Sequence, residues 1–429
     1  MTRGQALVRS AACLCLALGW LGASAQPDSP ATTYGQSLYR QDDPRSAWHP
    51  FRPVLPDAGD TETTLEQRID WREAQGGPFS PDLLEPLRGL GAARFSRGDY
   101  PGASAAWGRA LHLVRVNEGL RSPSQRWLLE QLSEASLAGG RIAHADEQQR
   151  HLFELARIEW RATEPAMQAA TARYAEWQRS AYLAGMDRER YPRLLALLTL
   201  FDDLLEEAVE AEGPTSRSLL PYLRGRLDVT YLLSVYPGEM HTPGVADAGN
   251  HTDEGKLDLI RFLEFKRDVF REGERTAERI QAILAADENA AADERADALL
   301  AQADWYQWHR RMAQSLPLYV QAWQEAGDTN PAWRHDRFGA PLELPPGIVF
   351  QPGRLQPPER SVSEVRLRFG VNRQGRAEGV ACLCNETGTE DKLAVRALAL
   401  VDDLRFRPRV DAGAAVDTPA VERRYVMRY

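Results

Sequence analysis

Lysine is nearly missing from this chain. Three residues, Lys256, Lys266 and Lys392, stand among 52 basic side chains in 429 residues, so arginine carries almost all of the positive charge. That skew fits a GC-rich genome and points to no activity. Acid still outweighs base, and a net charge of −9 excludes a general nucleic-acid binder, which needs a basic face to neutralise phosphates. No run of apolar residues approaches the ~20 that a membrane-spanning helix requires. With 32 glycines and 27 prolines, the chain is neither fibrous nor wholly disordered. Also missing are a G-x-S-x-G elbow, a P-loop, a dinucleotide fingerprint and an H-E-x-x-H helix. The chain therefore reads as a non-enzyme without a cofactor. It also exceeds the ~250–300 residues at which one core stops growing, so more than one unit is expected.

Cysteine is scarce too, and its placement follows from the N-terminus. Arg3 and Arg9 precede an apolar run from Ala11 to Leu21, and Ala23-Ser24-Ala25 precedes Gln26. This is the three-part pattern of a secretory signal peptide over residues 1–25. The alternative is an uncleaved inner-membrane anchor. Cleavage removes Cys13 and Cys15 and leaves Cys382 and Cys384. A C-x-C pair supplies two ligands, too few for zinc. Packing residues, a strained local disulfide and redox chemistry all stay open for it.

Composition divides the remainder. Residues 26–60 are broken by Pro27, Pro30, Pro44, Pro50, Pro53 and Pro56, which forbids a regular helix and predicts an extended arm. Residues 61–330 are rich in Leu, Ala, Glu and Arg, with apolar positions three and four apart, the mark of amphipathic helices. Prolines return over 331–360, which reads as a linker joining two independently folding units. Residues 361–429 turn to alternation. They hold 12 basic and 10 acidic residues, against 38 and 51 in 26–360, so the acidic surface belongs to the helical part.

Within that part, Leu87, Leu90 and Gly91 sit on one helix, Gly98-Asp99-Tyr100 turns the chain, and Ala103, Trp107, Ala110 and Leu111 line the next helix. Small residues at 91 and 103 allow close approach, and Trp107 fills the gap beside them. This resembles a tetratricopeptide repeat. A second copy 42 residues on matches Leu132, Gly140 and Ala145, but places Gln149 where an aromatic is expected. A third runs from Ala303-Asp304-Trp305-Tyr306 to Tyr319, Ala322 and Trp323. The resemblance implies a superhelical stack of helix pairs, with Trp305, Tyr306, Trp308, Tyr319 and Trp323 in its core.

The C-terminal 69 residues alternate over Val365–Val371, turn at Asn372-Arg373-Gln374-Gly375 and resume over Arg376–Leu383. A helix is predicted over Glu390–Leu404, then Phe406-Arg407-Pro408, and a last strand over Val421–Tyr429. The order is β-β-α-β, a small α+β domain. As an ordered set, these features resemble the C-terminal domain of TonB-family proteins. That resemblance implies a periplasmic domain that grips a segment of an outer-membrane protein by β-augmentation. Partner binding is expected on the terminal strand, at Val421, Arg423, Arg424, Tyr425, Val426, Met427 and Arg428, taken as a sheet edge.

These readings converge on a mainly α protein with a small α+β domain, acting as a periplasmic scaffold for cell-envelope proteins. One alternative is a divergent TonB-type energy transducer for outer-membrane transport. A cell-envelope metal-dependent hydrolase is the other, built on His241, Asp247, His251, Asp253 and Glu254 in the 236–256 loop.

Overall fold

The computed structural model describes residues 38–40, 61–186, 191–236, 253–327, 330–346, 349–350, 355, 362–383, 401 and 404–428. The helices run in chain order as α1 (Glu62–Gly76), α2 (Leu84–Ser96), α3 (Tyr100–Glu118), α4 (Gln125–Ala138), α5 (Ile142–Glu159), α6 (Pro165–Ala184) and α7 (Tyr191–Glu212). There follow α8 (Leu220–Ser234), α9 (Asp253–Arg267), α10 (Val269–Ala286), α11 (Ala292–Trp308), α12 (Met312–Glu325) and α13 (Pro331–Phe338). From α1 to α8 each helix packs on the next, and α8, α10, α11 and α12 continue the chain of neighbours. That is the nearest-neighbour layout of a helix-pair stack. None of the described helices is long and apolar enough to cross a membrane.

One turn recurs at several helix ends, and three of its instances lead into the second helix of a repeat copy. After α2 the Asp99 N–H donates to the Arg94 carbonyl at 3.0 Å, after α4 Arg141 does so to Ser136 at 2.7 Å, and after α11 Arg311 to Tyr306 at 2.9 Å. The residue before each donor is left-handed: Gly98 at φ +80, Gly140 at +72 and Arg310 at +58. These bonds span the last helical turn and let the next helix start at once. Five residues past each left-handed residue a small side chain is fully enclosed, namely Ala103, Ala145 and Ser315.

The small-to-large contact between paired helices recurs in altered chemistry. A Cβ on Gly91 would lie 2.2 Å from Trp107 Nε1, so the indole occupies the space a side chain would need. In the second copy Ser133 and Gln149 hold these positions, and Gln149 Nε2 donates to Ser133 Oγ at 2.9 Å. In the third, Ala303 and Tyr319 share one core. Gln149 is thus the second half of a polar pair. Trp305, Trp308 and Tyr319 are enclosed as expected, while Trp323 is partly buried beneath the Arg334 guanidinium, 3.6 Å from its ring centroid.

The strands are β1 (Leu38–Arg40), β2 (Leu342–Glu343), β3 (Val362–Val371), β4 (Ala377–Cys382), β5 (Phe406–Arg407), β6 (Arg409–Asp411), β7 (Ala414–Val416) and β8 (Thr418–Arg428). Four of them form an antiparallel sheet in the order β1-β8-β3-β4. The predicted hairpin turn is present: Asn372 N–H donates to the Arg376 carbonyl at 3.0 Å, and Gly375 adopts φ +72. A Cβ there would fall 2.0 Å from the Phe406 carbonyl oxygen, so glycine is also required by close approach. Cys382 is disulfide-bonded, with a partner outside the described residues. Most of the predicted 390–404 helix also lies outside them, although Val401 and Leu404 are buried.

The expectation of a linker over 331–360 is corrected. Pro331 opens α13, β2 pairs antiparallel with β5 (Leu342 opposite Arg407), and the Leu344 N–H donates to the Arg405 carbonyl at 2.9 Å. Leu342, Leu344, Val349 and Phe350 belong to one apolar core that also holds Trp305, Trp308, Leu367, Phe369 and Phe406. The prolines exclude helix but leave the apolar side chains between them free to pack. The terminal sheet and the array therefore share a core.

A buried ion pair fastens the two. Asp304 on α11 and Arg407 on β5 make a forked contact, Nε to Oδ1 at 3.0 Å and Nη2 to Oδ2 at 2.6 Å. Their side chains are 1% and 4% exposed. Tyr319 donates its hydroxyl to Asp304 at 2.9 Å, and Arg407 Nη1 donates to the Arg337 carbonyl at 3.2 Å. Burial opposes the charge on Arg407, but the Asp304 carboxylate more than offsets it and raises the pKa. Beside this pair, Gln307 Nε2 donates to the carbonyls of Gln374 (2.6 Å) and Phe406 (3.2 Å), while its Oε1 accepts from Ser315. The Phe406-Arg407 segment that carried part of the resemblance is thus turned inward onto the array.

Candidate functional site

The helices α4, α5 and α6 enclose a cleft of about 260 Å³. Its wall is apolar and aromatic, from Leu152, Phe153, Ala156, Ala170 and Trp177. Helical spacing puts Leu152, Phe153 and Ala156 on one face of α5, and Ala170, Tyr174 and Trp177 on one face of α6. Phe153 and Tyr174 stack with centroids 4.6 Å apart and planes 10° from parallel. At the mouth, the Arg126 guanidinium lies 4.2 Å from the centre of the Trp160 ring and pairs with Glu159.

The polar lining is mixed in sign. Glu130, Glu134 and Glu176 face Arg126 and Arg173, an excess of one carboxylate over the guanidiniums. Burial pushes the Glu130 carboxyl up, against the pull of Arg173 and Arg126. At the inner end Trp177 Nε1 donates to Asp146 Oδ1 at 2.6 Å, and Arg193 forks onto the same carboxylate at 3.1 and 2.9 Å. Burial works to raise the Asp146 pKa, but the bonds from Arg193 and Trp177 prevail and hold it low. This brace fixes the Trp177 ring. Leu355 closes that end of the cleft, although it comes from the Pro-rich stretch far along the chain. Aromatic walls with a rim of both signs suit the side chains of an extended peptide.

The residues expected to bind a partner lie on β8, and the expectation that this strand is a bare edge is corrected. β3 pairs along one side from Val362 opposite Arg428 to Val371 opposite Thr418, and β1 pairs with Tyr425–Met427 on the other. Val421 and Tyr425 are buried, and the Tyr425 hydroxyl donates to Glu343 Oε2 at 2.9 Å. Arg423 is half-buried, and its Nη1 donates to the Glu422 carbonyl at 3.0 Å. Arg424 is exposed on the opposite face, with Glu364 at 3.9 Å on the adjoining strand. The side chains of Val426, Met427 and Arg428 lie outside the described residues. Upstream of Tyr425, no strand pairs with β8 on the β1 side among the described residues.

His241, Asp247 and His251 of the proposed metal loop fall outside the described residues, as do the side chains of Asp253 and Glu254. Among the described residues no three His, Cys, Asp or Glu side chains gather as a metal site would require. Sequence reasoning missed the cleft because no repeat is readable over residues 150–235, which take in most of α5 and all of α6. The available signal was the aromatic set Phe153, Trp160, Tyr174 and Trp177.

No family model matches the chain, and no curated protein does. Among solved structures it is similar to BtubC (BKLC) from P. vanneervenii, at 13% identity over 64% of this chain and 93% of that one, with a TM-score of 0.31. It is also similar to a variant of a Podosopora anserina kinesin-light-chain protein with nearly identical TPR-like repeats. There the identity is 14% over 58% of this chain and 97% of that one, with a TM-score of 0.33.

Proposed function

We propose that this chain is a non-catalytic periplasmic scaffold that binds cell-envelope proteins. Its contact surfaces are the α4–α6 cleft and the β8 side of the terminal sheet. The observation that carries this reading is the buried Asp304–Arg407 pair. It makes array and sheet one body that presents both surfaces in fixed relation. The same clamp favours a scaffold over a divergent transducer, whose TonB-like domain would need to reach a partner on a free spacer. A partner strand would add to β8 beside Arg423 and Arg424, continuing the line of Leu38–Arg40 through main-chain hydrogen bonds.

The test is recovery of envelope proteins on tagged, purified protein, with N-terminal sequencing of the chain from the periplasmic fraction. Gln26 as the first residue fits the scaffold, whereas membrane-bound protein starting at Met1 fits the transducer. Recovery should fall for Arg424→Pro, which removes an N–H from the strand, and for Tyr174→Ala in the cleft. If neither change lowers recovery while circular dichroism stays native, the scaffold reading is wrong.

A further inference from the structure

The walls of the α4–α6 cleft differ in kind. From α4 come Arg126, Glu130 and Glu134, four residues apart and so on one helix face, while α5 and α6 supply the rings of Phe153, Tyr174 and Trp177. The cleft is therefore amphipathic, with a charged wall and an aromatic one. At about 260 Å³ it falls below the ~300–1,000 Å³ of a site for a cofactor or drug-sized molecule, and suits one or two side chains. Its charges are not matched where they stand. Arg126 is engaged outside the cleft, paired with Glu159 and laid over the Trp160 ring at 4.2 Å. Glu176 has Arg179 at 3.8 Å. Glu130 is the carboxylate left over. It is half-buried and makes no hydrogen bond or ion pair among the described residues, and burial raises its pKa against Arg173 and Arg126, which pull from beyond ion-pair distance. Gln149, also in the lining, spends its Nε2 on Ser133 and keeps its carbonyl oxygen as an acceptor.

We infer that this cleft takes a long basic side chain, arginine or lysine, from an extended partner segment, with Glu130 as its counter-ion. The inference rests on the reading of the cleft as a contact surface and names what that surface takes. Such a side chain has an apolar stem and a charged head. The stem lies along the aromatic wall, where ring faces also attract the cation, and the head meets the Glu130 carboxylate. The chain already makes one contact of this kind, the Arg126 guanidinium over Trp160. Other occupants fit worse. An acidic side chain would face both Glu130 and Glu134, and an aliphatic one would strip water from Glu130 without giving it a partner.

The probes are two fluorescein-labelled peptides, Ala-Ala-Arg-Ala-Ala and the same peptide with citrulline for arginine, titrated by anisotropy against the full-length protein. Citrulline keeps the stem and the planar head of arginine but carries no charge, so the pair isolates the ionic contact. The arginine peptide should bind at least tenfold tighter, as one hydrogen bond to a charged group allows. Glu130→Gln, which keeps the shape of the side chain, should erase that preference. Glu206→Gln, which removes the same charge from α7 outside the cleft, should leave it unchanged. Equal binding of the two peptides to wild type, including no binding of either, overturns the inference, and so does a preference that survives Glu130→Gln. The citrulline comparison is made on wild type and does not depend on how any variant folds. The assay needs no envelope partner, so it can fail while the scaffold reading stands, and the reverse.

Discussion

Replacing one member of the Asp304–Arg407 pair should be among the most damaging changes available in this chain. With Asp304 truncated to alanine, the Arg407 guanidinium keeps a single acceptor, the Arg337 carbonyl at 3.2 Å. With Arg407 truncated, the carboxylate keeps the Tyr319 hydroxyl at 2.9 Å. Each leaves a charge almost wholly removed from water, which costs about 3–5 kcal/mol. The double change Asp304→Leu with Arg407→Met leaves no charge behind and fills similar volume. It should therefore cost well under the sum of the singles, with a coupling of about 2 kcal/mol or more. Urea unfolding followed by tryptophan fluorescence supplies the numbers, since Trp305 and Trp308 lie in the shared core. Proteolysis over 339–361 reports undocking, and should accelerate in both singles more than in the double. Singles that each cost below ~1 kcal/mol and add without coupling would refute the clamp.

Two further outcomes follow from the packing. Glycine to alanine in a helix interior ordinarily stabilises by up to ~1 kcal/mol, but a Cβ on Gly91 would lie 2.2 Å from Trp107 Nε1. Gly91→Ala should therefore destabilise by about 1–3 kcal/mol in urea unfolding, and a stabilised variant would show that α2 and α3 can separate freely. His309 is buried against the Trp305 and Phe270 rings, and burial, helped by the nearby Arg311 charge, lowers its pKa to about 3. The unfolded imidazole gains a proton below ~6.5 while the folded one stays neutral, so stability falls as pH drops through that window, by about 2 kcal/mol at pH 5. His309→Phe should remove this share of the pH dependence, and an unchanged difference between pH 7 and pH 5 would count against it.

Much of the helical architecture was legible because it depends on local contacts. Gly98-Asp99-Tyr100 announces a helix end and a cap in three letters, and Asp99 does accept from the Gly102 N–H at 2.9 Å. The Asn372–Gly375 turn was visible for the same reason. The terms that decide the tertiary arrangement were not. Gln149 read as a departure because its partner, Ser133, is recognisable only once both helices are in place. The prolines at 341, 345, 346, 352, 357 and 358 suggested separation. They constrain φ and remove donors but say nothing about where Leu342, Leu344, Phe350 and Leu355 pack. Asp304 offered a faint signal, an acid set directly among Ala303, Trp305 and Tyr306. Its partner lies 103 residues away, beyond any pattern read along the chain. The sheet position of β8 escaped because β1 comes from the opposite end of the sequence.

The clamp also explains why a small sheet sits at the end of this stack. Helix-pair arrays bury each unit against its neighbours, so the last pair exposes an apolar face that something must cover. Here the last pair is α11 and α12; α12 meets β6 and β7, and α13 joins the same apolar core. Val410 enters the core of Tyr319, Trp333 and Phe338, and Gly413 brings the β6–β7 turn to within Cβ contact, 3.6 Å, of Trp323. The β6–β7 hairpin and α13 act as the cap of the array. Apolar contact alone would hold such a cap but would tolerate several registers of a two-residue strand such as β5. A forked guanidinium–carboxylate contact has one good geometry, so the Asp304–Arg407 pair selects the register in which Leu342 stands opposite Arg407. On this reasoning the apolar double variant keeps much of its stability but loses uniqueness of docking. Its amide exchange over β5 and β2 should quicken even where its unfolding midpoint is close to wild type. Protection equal to wild type there would show that packing alone fixes the register.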